Sequence, residues 1–325
     1  MDALTPQEID KAHERIFSLI IKTPLISSEI INKKTNANVY FKLENLQWTG
    51  SFKLRGASNK ISQLSNEEKS RGIVSYSSGN YAQAVAYASK LFGVQATIVM
   101  PKSAPSIKIE NTKKYGADIV FYNSMHENRE KIASEIARKE NKTIVKPYDD
   151  LDVIAGQGTV GKEIAEELKL QNIQPDIYLC CCGGGGLIAG SSTYLKHAFP
   201  NIKNFAVEPE EFNDTQLSLK NNSIVKNKEL GNSICDALLA PQPGNVTFPV
   251  NQTTLNGGLA VSDKEVKKTI VELAEEVKIV VEPGGAVAAS ALLTNKISVK
   301  NKNVVVMISG GNIDYKLFSS IVRNY

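Results

Sequence analysis

The sequence is poor in the patterns that mark several classes of protein. Its 325 residues carry a formal net charge of only +4, which gives no support to binding of nucleic acid or of a membrane surface. No segment approaches the ~20 consecutive apolar residues that a membrane-spanning helix needs. The first ten residues also lack the charged and apolar regions of a signal peptide. We therefore expect no nucleic-acid partner and no membrane.

Histidine and cysteine are also scarce. The three histidines, His13, His126 and His197, fall in helical patterns away from the glycine-rich loops, so none is a ready general base. Three of the four cysteines are adjacent at positions 180–182, and no CxxC spacing marks a metal site. Neighbouring strand residues point to opposite faces, which also disfavours a disulfide framework. We interpret these cysteines as buried strand side chains of a cytoplasmic protein.

Short apolar runs alternate with helical patterns along most of the chain. This alternation predicts a doubly wound α/β architecture that binds its ligands at the carboxyl ends of strands. The length is typical of two domains or of one large domain. Strands are predicted over residues 72–76, 96–100, 118–122, 176–182, 204–207 and 303–308. Helices are predicted over residues 81–92, 126–140, 159–170 and 262–277.

A run of four glycines, at positions 183–186, follows the strand predicted at 176–182 and precedes a helical pattern. Ordering four glycines costs more backbone entropy than ordering any other four residues. In a strand–loop–helix arrangement, bare backbone amides and a helix N-terminus converge on an anion, usually a phosphate. The run does not match the G-x-G-x-x-G dinucleotide motif. The sequence therefore predicts a phosphate site here, and a plain tight turn is the alternative.

Residues 156–163, GQGTVGKE, form a second phosphate candidate. They match a P-loop up to the last position, where Glu163 stands in place of the magnesium-binding Ser or Thr. The preceding residues are not a clean buried strand. A helix start with a surface lysine is the alternative interpretation, and it is the one that we favour.

Three further stretches lie near predicted strand ends. SSGNYAQ, residues 77–83, could bind a carboxylate through its amides, and SGGN, residues 309–312, follows the strand at 303–308. GSFKLRGA, residues 50–57, holds Lys53 between two apolar residues. Taken singly, each stretch is weak evidence for a binding site, and an isolated lysine is more often a solvated surface residue.

Together these motifs resemble those of the fold-type II pyridoxal-phosphate (PLP) enzymes, and most of all the branch of serine/threonine dehydratases and serine racemases. The resemblance rests on GSFKLRGA, SSGNYAQ, GGGGLIAG, EPGGA and SGGN in this order, and it spans residues 23–312. It implies two α/β domains of the tryptophan synthase β type, with a small domain at residues 72–149. The large domain would comprise residues 1–71 and 150–325, with PLP in the cleft between the two.

The resemblance also implies the following roles. Lys53 would form the Schiff base and then act as base at the α-carbon of the substrate. Phe52 would lie against the pyridine ring, Asn80 would bond to the ring hydroxyl, and Glu282 would lie beside the ring. Ser309 would face the pyridine nitrogen, where a hydroxyl does not favour protonation of the ring. The phosphate would be cradled by Gly183, Gly184, Gly185 and Gly186. The substrate carboxylate would be held by Ser77, Ser78, Gly79, Asn80 and Tyr81.

A divalent-cation site is implied by Glu208, Asp214 and the carbonyl of Phe212, which match the metal site of this branch. Oxygen ligands on an irregular loop suit Mg²⁺ or Ca²⁺. The alternative is a solvated acidic loop.

The resemblance implies β-elimination of water from L-threonine, L-serine or a similar 3-hydroxy amino acid, which yields a 2-oxo acid and ammonia. The alternatives are serine racemase and threo-3-hydroxyaspartate dehydratase. Ser78 would be the acid that reprotonates the second face in racemisation, although its hydroxyl could instead cap the following helix. Tyr81 replaces the histidine that is usual in this loop. We also expect a homodimer and, with no regulatory domain after Tyr325, no feedback control by isoleucine.

Overall fold

The computed structural model describes residues 4–123, 126–227 and 231–325. Within these ranges the chain forms ten strands and fourteen α-helices. The strands are β1 (Leu25–Ile26), β2 (Asn38–Leu43), β3 (Ile73–Tyr76), β4 (Ala96–Pro101), β5 (Asp118–Tyr122), β6 (Thr143–Val145), β7 (Ile177–Cys181), β8 (Lys203–Pro209), β9 (Gly257–Val261) and β10 (Asn303–Ile308). The first seven helices are α1 (Pro6–Ile16), α2 (Glu29–Thr35), α3 (Lys53–Ser62), α4 (Asn66–Arg71), α5 (Asn80–Phe92), α6 (Ser106–Lys114) and α7 (Arg129–Glu140). The others are α8 (Leu151–Leu170), α9 (Gly186–Ala198), α10 (Asp214–Asn221), α11 (Thr247–Thr254), α12 (Asp263–Glu272), α13 (Pro283–Leu293) and α14 (Tyr315–Asn324).

The strands form two sheets, which confirms the predicted α/β fold class. The larger sheet has the order β1-β2-β10-β7-β8-β9, and all its neighbours are parallel except β1 and β2. The smaller sheet has the order β5-β4-β3-β6 and is parallel throughout. All four of its strands lie between β2 and β7 in the chain. Helices follow most strands, and parallel sheets of this kind bind ligands at the carboxyl ends of their strands.

The predicted strands agree with the structure to within two residues at each end. The strands β1, β2, β6 and β9 were missed, because short or weakly patterned strands carry little periodicity of their own. The helix predicted at 126–140 begins only at Arg129, so His126 lies in a turn instead. The helix predicted at 262–277 changes at Leu273–Val277 into a π-helical turn.

Helix α8 corrects the prediction for residues 156–163. It begins at Leu151, eight residues before the predicted start, with the Asp150 side chain accepting two backbone N–H groups. The GQGTVGKE stretch is therefore mid-helix and forms no strand–loop–helix phosphate site. Its glycines instead allow close helix packing, since a Cβ on Gly161 would lie 2.6 Å from the carbonyl oxygen of Ser191 on α9.

Two large apolar clusters support the sheets. The cluster around the larger sheet contains Cys180, Cys181 and Cys182, all buried with free thiols. Cys180 and Cys181 lie in β7 as predicted, whereas Cys182 follows its last residue. The cluster around the smaller sheet includes Leu54 and Ile61 of α3. Helix α3 therefore packs against the smaller sheet although it precedes residue 72 in the chain, and the division at residues 72 and 149 remains a prediction. In the described residues no helix is long and apolar enough to cross a bilayer.

Candidate active site

A cavity of about 370 Å³ opens at the carboxyl ends of strands from both sheets. Strand β3 leads into its wall at residues 77–81, β7 leads into the glycine run, and β10 leads into Ser309. The predicted cofactor and substrate residues that line it are Phe52, Lys53, Ser77, Ser78, Gly79, Asn80, Tyr81, Gly183, Gly184, Gly185, Gly186 and Ser309. Glu282 is buried behind this wall. The fold thus brings together residues as distant as Phe52 and Ser309, which are 257 positions apart in the sequence.

Lys53 is the first residue of α3 and lines this cavity. The Nζ atom donates to the carbonyl of Pro147 at 3.1 Å, and it lies 5.0 Å from the ring centroid of Phe52. It lies 5.5 Å from the ring centroid of Tyr81. Burial lowers the pKa of Lys53 to about 8, with a smaller contribution from the charge of Arg129. The unprotonated amine, which acts as nucleophile or base, is therefore accessible near neutral pH.

A second lysine, Lys108, also lines the cavity but is held in two buried ion pairs. Its Nζ atom lies 2.7 Å from Asp236 Oδ2 and 2.9 Å from Glu282 Oε2. Burial would lower the pKa of Lys108, but the two carboxylates outweigh it and raise that pKa. The other carboxylate oxygen of Glu282 accepts from the Asn80 amide, whose oxygen accepts from Asn312 at 2.9 Å. Lys108 is thus held as a cation by two carboxylates, whereas the pKa of Lys53 is lowered.

The glycine run forms a tight loop between β7 and α9. Gly185 has a φ of 89°, a left-handed conformation that favours glycine, and α9 begins at Gly186. A Cβ on Gly184 would collide with the ring of Tyr148, so this position has no room for a side chain. The loop therefore presents backbone and a helix N-terminus to the cavity, which are the features that bind phosphate. These residues fit a PLP phosphate.

The serine loop of residues 77–81 follows β3, and its last two residues, Asn80 and Tyr81, are the first two of α5. The N-cap of α5 is Gly79, and no side chain caps this helix, so capping is not the role of Ser78. The Ser77 hydroxyl instead accepts the Gly79 backbone N–H at 3.1 Å. Ser78 lines the cavity and is only partly buried. Its hydroxyl is thus free to face a ligand.

The residues predicted to bind a metal lie outside the lining of this cavity. Glu208 is buried and accepts the backbone N–H groups of Thr215 and Gln216 at 2.9 and 2.8 Å. Burial raises the pKa of Asp214 to about 7, and burial together with Asp214 raises that of Glu208. Phe212 ends the 3₁₀ turn Glu210–Phe212 that precedes Asp214. In the described part of the chain, no group of three or more His, Cys, Asp or Glu side chains could hold a metal ion.

Among the cavity residues that the sequence analysis did not assign to the site are Lys108, Arg129, Tyr148 and Cys181. The first two lie in or near the segments that follow β4 and β5. The rule that ligands bind at the carboxyl ends of strands could have found both, had it been applied to every predicted strand. The same rule applies to Cys181, the last residue of β7. Tyr148 carries no comparable signal, because a loop tyrosine is common in any α/β protein.

Comparisons with known proteins agree with this geometry. The family model described as "Pyridoxal-phosphate dependent enzyme" matches residues 16–310. The chain is 41% identical to L-threo-3-hydroxyaspartate ammonia-lyase of Saccharomyces cerevisiae, over 96% of this chain and 94% of the relative. It is 38% identical to L-threonine ammonia-lyase of Thermotoga maritima, over 98% of this chain and 78% of the relative. The crystal structure of serine racemase from Dictyostelium discoideum superposes with a TM-score of 0.88 at 39% identity, covering 96% of this chain and 99% of that one. The chain therefore belongs to the pyridoxal-phosphate dependent enzymes of fold type II, in the branch of serine/threonine dehydratases and serine racemases.

Proposed function

We propose that this protein is a PLP-dependent ammonia-lyase that eliminates water from a small 3-hydroxy amino acid. L-threonine, L-serine and L-threo-3-hydroxyaspartate are the substrates that we consider. The observation that carries the proposal is the contrast between the two lysines of the cavity. Lys53 has a lowered pKa and no ion-pair partner in the described residues, whereas Lys108 is locked between Asp236 and Glu282.

The cofactor would be held by residues that line or support the cavity. Gly183 to Gly186 would bind the phosphate, Lys53 the aldehyde carbon, and Phe52 one face of the ring. Asn80, fixed by Glu282 and Asn312, would donate to the ring hydroxyl. Ser309, which is buried beside Cys181, would meet the ring nitrogen with a neutral hydroxyl. When bound, PLP supplies an electron sink that stabilises negative charge at the α-carbon of the substrate.

Different residues would bind the substrate and transfer protons. The loop of residues 77–81 would bind the α-carboxylate with its serine hydroxyls and the N-terminus of α5. The Lys53 amine, once released, would take the α-proton, and its protonated form would supply a proton to the departing hydroxyl. Loss of water followed by hydrolysis gives the 2-oxo acid and ammonia. A buried amine with a pKa of about 8 suits both the acid and the base role.

This proposal is tested by measuring the release of 2-oxo acid from the three candidate substrates. The purified protein should absorb visible light through bound PLP and should release oxo acid from at least one of them. Lys53→Ala should abolish turnover while Lys131→Met, an exposed lysine on α7, should not. Failure of the parent protein to release oxo acid from any of the three would refute the proposal.

Racemisation is a second candidate activity, and the position of Ser78 favours it. Its partly buried side chain lines the cavity and caps no helix, so the hydroxyl can serve as an acid on the second face of the α-carbon. We propose elimination as the main activity, with racemisation as a side reaction. Ser78→Ala should remove racemisation of serine and spare much of the elimination. If the variant racemised serine as fast as the parent, Ser78 would not be this acid.

We also propose a divalent cation, Mg²⁺ or Ca²⁺, at Glu208, Asp214 and the carbonyl of Phe212. Two buried carboxylates with raised pKa values fit this proposal, because a cation would relieve the cost of ionising both. Asp214 Oδ2 is buried and has no hydrogen-bond partner in the described residues. We also propose a homodimer, as expected from the family. A cytoplasmic location is proposed from the free cysteines.

A further inference from the structure

A series of polar contacts runs beside the cavity from a backbone carbonyl to the ammonium of Lys108. The Asn312 amide donates to the Thr49 carbonyl at 2.9 Å and to the side-chain oxygen of Asn80 at 2.9 Å. The Asn80 amide nitrogen donates in turn to Glu282 Oε1. Glu282 Oε2 lies 2.9 Å from Lys108 Nζ. We call these five residues the amide network, and Asn80 is the member through which it reaches the proposed ring site.

The two ends of the amide network fix the direction of its hydrogen bonds. A backbone carbonyl can only accept, and an ammonium can only donate. The Thr49 carbonyl and Asn80 use both N–H groups of the Asn312 amide, so turning this amide would set its oxygen against a carbonyl oxygen. At the other end, Lys108 presents only hydrogens to Glu282. The oxygen of Glu282 that faces Lys108 therefore carries no proton.

Between these ends, the Asn80 amide has a single orientation. Its oxygen must face the donor on Asn312, and its nitrogen must face the accepting carboxylate of Glu282. The bond to Glu282 uses one N–H group, and the nitrogen makes no second hydrogen bond within the described ranges. Because Asn80 lines the cavity, it offers a donor, and not an acceptor, to a bound ligand.

The ammonium of Lys108 is itself held firmly in place. Its Nζ atom lies 2.7 Å from Asp236 Oδ2, and the side chain is almost completely buried. A Cβ on Gly79 would lie 2.5 Å from Lys108 Cδ, so the aliphatic stem passes directly over the backbone of the serine loop. Burial raises the pKa of Glu282, and the charge of Lys108 opposes this rise. Lys108 thus acts on the charge and on the hydrogen bonding of Glu282.

We propose that Lys108 is a positioning residue, which acts through Glu282 to orient the Asn80 amide as a donor to the ring oxygen of PLP. A hydrogen bond to an ionised oxygen is stronger than one to a neutral hydroxyl, so this orientation favours the cofactor with its ring oxygen unprotonated. If the amide were turned, its own oxygen would favour a protonated ring hydroxyl. The inference rests on the proposed function, because it takes PLP to be bound at Lys53.

The variant Glu282→Gln tests this steering, because it makes Lys108 and Asn80 compete for one acceptor. Glutamine has nearly the shape of glutamate but carries one oxygen and one amide nitrogen. Lys108 should attract the oxygen, since hydrogen bonds from a cation are the stronger ones. The nitrogen would then face Asn80, whose amide would have to turn. In the double variant Lys108→Met/Glu282→Gln no cation attracts the oxygen, so it can face Asn80 again.

The experiment compares the parent protein, Glu282→Gln, the double variant and the control Lys114→Met. Lys114 is the exposed last residue of the helix that carries Lys108. The first measurement is the absorbance of each holoenzyme. PLP linked to a lysine absorbs visible light when its ring oxygen is ionised and near-ultraviolet light when that oxygen is protonated. The second is the affinity of each apoprotein for PLP, and circular dichroism checks that each apoprotein is folded.

We expect the parent and Lys114→Met to absorb mainly in the visible. Glu282→Gln should absorb mainly in the near ultraviolet and should bind PLP roughly 10- to 100-fold more weakly, the effect of losing a hydrogen bond to a charged group. The double variant should regain the visible band and most of the affinity. A purely structural role of Lys108 predicts the reverse, because a second replacement would then add to the damage of the first.

Three results would overturn the inference. These are a parent that binds PLP but absorbs mainly in the near ultraviolet, a Glu282→Gln variant with the spectrum of the parent, and a double variant with no more visible absorbance than Glu282→Gln. If the methionine prevents folding, Lys108→Gln/Glu282→Gln replaces that double variant, and the same outcomes apply, since it also lacks the cation. All three results would leave elimination of water intact, whereas a parent protein that binds no PLP would refute the proposed function itself.

Discussion

Replacing Arg55 should destabilise the protein more than replacement of almost any surface charge. Arg55 lies two residues after Lys53 on α3 and is completely buried. Its guanidinium donates to Glu44 at 2.8 Å and to Glu163 at 2.7 and 2.8 Å. Lys42 completes the group through a 2.7 Å bond to Glu163. This network joins β2, α3 and α8, and so fixes the helix that carries Lys53.

The cost of Arg55→Met follows from the charges that would be left behind. Two buried carboxylates would then face only Lys42, with a net charge of −1. Removal of one partner from a buried ion pair costs about 3–5 kcal/mol. For a chain of this size that corresponds to a fall in Tm of roughly 4–7 °C. Burial alone would lower the pKa of Arg55, but Glu44 and Glu163 raise it overall, so the guanidinium stays charged at any accessible pH.

Thermal unfolding of the apoprotein, followed by circular dichroism, measures this cost without interference from the cofactor. The matched control is Lys33→Met, which breaks an exposed helical ion pair to Glu29 and should cost no more than about 0.5 kcal/mol. Adding Glu163→Gln to Arg55→Met restores the charge balance, so the double variant should lose less than the sum of the two single losses. If Arg55→Met lowered Tm no more than Lys33→Met does, the account of this network would be refuted.

Two further predictions concern pH. The rate at which the apoprotein takes up PLP should rise through a pH of about 8, because Lys53 attacks as the free amine; an inflection near the ordinary value of 10.5 would contradict the burial argument. Burial raises the pKa of Asp214 from 3.8 to about 7 in the folded protein. Without a bound cation, protonated Asp214 therefore contributes its full share of stability below the unfolded-state pKa. This contribution is lost as the pH rises through about 7, because the buried carboxyl then ionises. Added Mg²⁺ or Ca²⁺ should therefore raise Tm more at about pH 8 than at about pH 5, and Asp214→Asn should lose the effect. An equal effect at both pH values, or none, would count against a cation at Asp214 and Glu208.

Much of the fold was predictable because its strands are buried on both faces. The continuous apolar run of β10 appears in the sequence with the bounds that the structure gives it. Strand β9 was not found, because Gly257 and Gly258 open it and glycine has low strand propensity. The start of α8 was misplaced for a related reason. Its glycines suggested a loop in the sequence. In the structure they allow α8 to pack closely against α3 and α9.

The parts of the candidate site that lie in local sequence motifs could be predicted. The residues whose state depends on partners distant in the sequence could not. The glycine loop and Lys53 each lie in a short recognisable stretch. The state of Lys108 depends on Asp236 and Glu282, which are 128 and 174 positions away in the chain. Nothing in the local sequence tells a compensated lysine from a free one. The same holds for Arg129, which has no ion-pair partner in the part of the chain that the structure describes.

The central claim is that Lys53, and not Lys108, carries the cofactor. Borohydride reduction of the holoenzyme fixes PLP to the lysine that holds it, and peptide mass spectrometry then identifies that residue. We expect the label on the peptide that contains Lys53 and none on the peptide that contains Lys108. A label on Lys108, or a holoenzyme in which neither lysine is labelled, would contradict it.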